Sequence, residues 1–103
     1  MKWALGRQLH SVQMKIKPGY YVYANPQPEE DFQSLAINLK IKTQDPKTQV
    51  KVTYPKSIKK ESVGFSVTYY EGDLAIQAIV QRADGDNSLI EGVLSLRAMA
   101  FSH

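Results

Sequence analysis

The sequence predicts an all-β fold of the sandwich class, two antiparallel sheets packed face to face. Two observations carry that prediction. Apolar residues recur at every second position through most of the chain, which puts them on one face of an extended strand. Turn-forming residues interrupt those runs at intervals of about 8–12 residues, the rhythm of short strands in a sandwich or small barrel.

The clearest run is Ser34 to Lys42, where Leu35, Ile37, Leu39 and Ile41 alternate with Ala36, Asn38, Lys40 and Lys42. A helix would scatter those four apolar residues around its circumference, whereas a strand gathers them on one side. His10 to Lys17 gathers Val12, Met14 and Ile16. Gln49 to Tyr54 gathers Val50, Val52 and Tyr54 and stops at Pro55. Val63 to Tyr70 is rich in β-branched and aromatic residues, with Val63, Phe65, Val67 and Tyr69 on one face. Leu74 to Gln81 offers Leu74, Ile76, Ala78 and Val80. A last strand from Leu89 to Ala100 offers Leu94, Leu96, Ala98 and Ala100.

Turn chemistry separates these segments. Lys17-Pro18-Gly19 has proline to set φ and glycine for the left-handed position. Asp45-Pro46 breaks the chain, and Glu71-Gly72-Asp73 and Asp84-Gly85-Asp86-Asn87 read as hairpin-type connections. Asn25 to Asp31 holds Pro26 and Pro28, which exclude a central strand, and a helical turn fits at Glu29 to Gln33. Six or seven short strands with these turn signals read as an antiparallel sandwich or small barrel, and the sandwich is the expected fold. The expected core includes Leu35, Ile37, Leu39, Ile41, Val52, Ile76 and Leu96, with Lys40, Lys42 and Lys51 in solvent.

Composition bounds what such a domain can do. The 103 residues suit one domain, and 43% hydrophobic content fills a core without staples. The expectation is a single domain over residues 1–103. No cysteine is present, so thiol chemistry and thiolate metal sites are excluded for this polypeptide. The net charge of +3 is spread along the chain, with Lys59-Lys60 the one adjacent basic pair, so nucleic acid is not the expected partner. No run approaches the ~20 apolar residues of a membrane span, and Met1 to Arg7 lacks the apolar stretch of a signal peptide. The sequence stops inside the apolar segment Leu96 to His103, which suggests a piece of a longer polypeptide.

Sites for chemistry are sparse. Asp84-Gly85-Asp86-Asn87 opens like a calcium loop, but Ser95 stands where the closing acid belongs, so a solvated turn is expected. His10 and His103 have no metal-ligand spacing. Glu29, Glu30 and Asp31 lie in a proline-rich loop and are expected to be hydrated. No phosphate loop or nucleophile elbow is present. The expectation is therefore no catalytic residue, no metal and no cofactor. The Gly19-Tyr20-Tyr21-Val22-Tyr23 run is more informative. Alternation sends Tyr21 and Tyr23 one way and Tyr20 and Val22 the other. Either one face simply packs the core, or a tyrosine pair lines a recognition surface.

The order of these features resembles the N-terminal periplasmic domain of the thiol:disulfide interchange protein DsbD, also described as the disulfide bond corrector family. Ile16 to Pro26, then Val52-Thr53-Tyr54-Pro55, Tyr70-Glu71-Gly72-Asp73-Leu74 and Gly92 to Ala100 follow the family's order. The resemblance implies an immunoglobulin-like sandwich outside the cytoplasm, in the bacterial periplasm. Family members pass electrons to thioredoxin-like proteins through two cysteines, shielded by an aromatic on a cap loop and lined by tyrosines. By position Tyr21 and Tyr23 match those tyrosines, Phe65 is the nearest candidate for the cap aromatic, and Phe101 stands where the first cysteine belongs. The expectation is a redox-inactive, non-catalytic interaction domain of a thiol-disulfide exchange system. Its partner surface would be Tyr21, Tyr23, Phe65 and Phe101, and its partner a thioredoxin-like protein or a neighbouring domain. The alternative is a structural spacer within a larger cell-envelope protein. Neither reading inserts the domain in a membrane.

Overall fold

The computed structural model describes residues 7–101. His103 and the segment Met1 to Gly6 lie outside these. Nine strands and one short helix follow in the order β1 (Arg7–Lys15), β2 (Tyr20–Tyr23), α1 (Glu30–Gln33), β3 (Asn38–Lys42), β4 (Gln49–Thr53), β5 (Ile58–Ser62), β6 (Phe65–Tyr70), β7 (Asp73–Gln81), β8 (Glu91–Ser95) and β9 (Ala98–Ala100). All pairings among them are antiparallel.

One layer is the sheet β1-β7-β4. Its central strand β7 turns Leu74, Ile76, Ala78 and Val80 inward, and all four are buried, as the alternation requires. The opposing layer is the sheet β5-β6-β2-β9 together with the pair β3–β8. The Ile37 N–H donates to the Tyr23 carbonyl at 2.8 Å and joins the end of β2 to the start of β3. Residues 91–100 run antiparallel first to β3, with Lys42 opposite Glu91, and then to β2, with Val22 opposite Ala98. Ile16, Val22, Ala24, Ile37, Leu39, Tyr70, Leu74, Ile76 and Ala78 form the core between the layers.

Several sequence expectations change. The strand read as 34–42 begins only at Asn38. The N–H groups of Leu35 and Ala36 donate to the carbonyls of Phe32 and Gln33 in the turn that ends α1, and Leu35 is half-buried. Ile41 and Val52 are also half-buried, packed against the core rather than within it. The strand read as 63–70 hides a hairpin. Val63 and Gly64 form the turn between β5 and β6, Gly64 has φ +88°, and Val63 is 101% exposed. The strand read as 89–100 is interrupted at Leu96-Arg97, where its partner changes from β3 to β2. Leu96, expected in the core, is 41% exposed there, where the chain has left β3 at Ser95 and does not pair with β2 until Ala98. Glu71-Gly72-Asp73 and Asp84 to Asn87 are not hairpins. Each carries the chain from one sheet to another, since β6 and β7 do not pair, nor do β7 and β8. Lys40, Lys42 and Lys51 are exposed as expected.

Candidate functional site

Strand β6 carries apolar side chains on its outer face. Its inward residues are Ser66, Thr68 and Tyr70, while Phe65, Val67 and Tyr69 point away from the sandwich interior. Register fixes this, because Tyr70 faces the core residue Val22 and Tyr69 faces Tyr23 on the other side of the sheet. Polar groups turned inward need partners. Thr68 has them: its N–H donates to Gln27 Oε1 at 3.1 Å, and its hydroxyl donates to the Pro26 carbonyl at 3.0 Å. The Ser66 N–H donates to the Glu29 carboxylate. The proline-rich segment is thus held against β6, and the carboxylate of Glu29 is engaged in that structural bond.

The outward face collects rings from β2, β6 and α1 and from Phe101, the residue after β9. Tyr21 lies 5.9 Å from Tyr23, 5.7 Å from Tyr69 and 4.8 Å from Phe101, ring centre to ring centre. Phe32 of α1 lies 6.1 Å from Tyr23 and 5.8 Å from Phe65. These tilted and edge-on contacts are the arrangements aromatic pairs prefer. Between the rings is a hollow of about 220 Å³, lined by Tyr21, Tyr23, Lys60, Phe65, Val67, Tyr69 and Phe101. Burial, and then the neighbouring Tyr23 hydroxyl, raise the Tyr21 pKa above its usual value. Phe65 is 43% exposed and Phe101 37%, so the rim is open to solvent.

All four residues expected at the partner surface therefore meet on one face. Phe65 sits on β6 beside the two-residue β5–β6 turn, not on a separate cap loop. Phe101 holds its place because its N–H donates to the Gly19 carbonyl at 3.0 Å. Sequence reasoning missed two members. Tyr69 was legible, since alternation already placed it with Phe65 and Val67. Phe32 was not, because it lies in the turn of a segment with no strand periodicity.

Elsewhere the polar residues have structural work. The Asp86 carboxylate, whose side chain is 2% exposed, accepts bonds from the Ser88 N–H and from the Ser88 and Thr48 hydroxyls. Bonds from Ser88 first, then Thr48, hold its pKa down to about 2. Asp84 and His10 are exposed. Among the described residues no three His, Cys, Asp or Glu side chains converge as a metal site would need. Nor is any helix of the described residues long and apolar enough to cross a membrane.

A two-layer antiparallel arrangement with an aromatic outer face defines a β-sandwich domain. The chain belongs to the family described as thiol:disulfide interchange protein DsbD, N-terminal, whose model matches residues 1–98. That family is an immunoglobulin-like β-sandwich, which is the fold here, and its members are periplasmic domains that work in disulfide exchange. The 103 residues contain no cysteine. Phe101 lies just beyond the matched residues. Neither the curated proteins nor the solved structures compared with the chain gave a match.

Proposed function

We propose that this domain is a non-catalytic docking module of an extracytoplasmic thiol-disulfide exchange system. Its contact surface is the aromatic face of Tyr21, Tyr23, Phe65 and Phe101, extended by Phe32 and Tyr69. The observation that carries this reading is the outer face of β6, where Phe65, Val67 and Tyr69 gather with Tyr21, Tyr23 and Phe101 around one hollow whose rim is open to solvent. Rigid aromatic groups that keep a polar tip are the residues that dominate binding energy at protein interfaces. Disulfide exchange needs a thiolate, and this sequence supplies none, so the domain would hold a partner without exchanging electrons with it. The partner on this reading is a thioredoxin-like protein or a neighbouring domain of the same system, and residues 1–103 act as one unit.

The test is nuclear magnetic resonance titration with a thioredoxin-like domain whose active-site cysteines are replaced by serine. Shifts centred on Tyr21, Tyr23, Phe65 and Phe101 are expected. Shifts elsewhere, or reduction of a disulfide-bonded partner above background by the purified wild-type domain, would overturn the proposal.

A further inference from the structure

The hollow on the aromatic face has a size and a charge, and both limit what fits it. Pockets for free small molecules usually run to about 300–1,000 Å³. This one, at about 220 Å³, has room for roughly one large side chain. Val67 is its floor and the rings are its walls. Lys60, directly across from Val67 in the β5–β6 register, is its single charged lining residue. The acid nearest in sequence, Glu61, lies on the opposite side of β5 and pairs with Lys59 at 3.2 Å. A cation at the edge of an apolar hollow with no acid in its lining favours a carboxylate from outside.

Phe32 packs on Tyr23 and Phe65 at the margin of this face and leaves the hollow itself open.

We infer that the hollow receives one large apolar side chain, aromatic or of leucine size, from an acidic segment of the docking partner, with a flanking Asp or Glu reaching Lys60. This rests on the docking role proposed above and adds the chemistry of what docks. The same lysine discriminates against basic segments by like-charge repulsion, and the net charge of +3 acts in the same direction at longer range.

The experiment uses blocked peptides and calorimetry. Glu-Glu-Phe-Glu-Glu is expected to bind, replacement of its phenylalanine by alanine to weaken binding at least about tenfold, and Lys-Lys-Phe-Lys-Lys to bind far more weakly. Lys60→Gln should shrink the preference between the two charged peptides, and Lys60→Glu should shrink it further or reverse it. Both substitutions are at an exposed edge-strand position, and unfolding curves will confirm that the variants are folded. Equal binding of both charged peptides, indifference to Lys60→Glu, or binding of N-acetyl-phenylalanine amide as tight as the acidic peptide would overturn the inference. If the thioredoxin-like domain docks on this face but no peptide binds, the inference falls and the docking role stands. If neither binds, both fall.

Discussion

The side-chain amide of Gln27 bonds both backbone groups of Thr68. Its Nε2 donates to the Thr68 carbonyl at 2.7 Å, and the Thr68 N–H donates to its Oε1 at 3.1 Å. One side chain thereby supplies the pairing that a neighbouring strand would give, and it anchors the segment carrying Phe32. Gln27→Ala leaves the Thr68 N–H without its acceptor, so a loss of about 1–3 kcal/mol is expected. The urea midpoint measures it, and the Phe32 resonances should move while those of β7 stay in place.

Tyr70 contributes a ring to the core and a hydroxyl that donates to the Pro55 carbonyl at 2.7 Å. Tyr70→Phe keeps the packing and removes the donor. A loss of about 1–2 kcal/mol is expected, read as a lower Tm at neutral pH.

Ile76 is fully buried on β7, the strand paired on both sides. Ile76→Val should cost about 0.5–1.5 kcal/mol and Ile76→Ala about 2–5 kcal/mol, the larger figure including the cavity left behind. Chemical denaturation of the two variants gives the ratio. Equal effects would place Ile76 outside the close-packed centre.

Asp86 makes stability depend on acid. Its folded pKa of about 2 lies below the ~3.9 of an unfolded aspartate. The folded state therefore favours the ionised form, and the stabilisation is fully present above about pH 4. It fades as the pH falls through 2. Asp86→Asn is expected to be less stable than the parent at pH 7, with the difference closing toward pH 2 in thermal melts.

Phe65 and Tyr21 separate surface from scaffold. Phe65 is exposed at the rim, so Phe65→Ala should change stability by less than about 1 kcal/mol while weakening partner capture. Tyr21 touches Tyr23, Tyr69 and Phe101, and Tyr21→Ala should lower both. Paired melting and binding curves distinguish them. A Phe65→Ala domain that unfolds would reassign that ring to the core.

The strands with strict alternation were legible: β1, β4 and β7 turn inward the residues their pattern names. Connections were less so. Val63-Gly64 reads as strand because valine is β-branched and alternation continues through it, yet the positive φ at Gly64 bends the chain back. Leu96 carries the pattern of an inward residue, but the change of partner from β3 to β2 happens there, and periodicity holds no record of partner choice. At the site, Tyr21 and Tyr23 were legible as a pair. Their convergence with Phe32 depends on Gln27 and Glu29 holding a proline-rich segment to β6, a set of long-range bonds that no local pattern announces.

The pairing of β1 with β7 sets Arg7 opposite Gln81, and among the described strands only β5 and β6 are both successive and paired. Chains assembled from such remote segments commonly fold over milliseconds to seconds, whereas an isolated hairpin closes in microseconds. During synthesis β1 is finished long before its partner exists. The stretch from Gln8 to Met14, which holds no Asp, Glu, Lys or Arg, must wait for its partner until β7 leaves the ribosome.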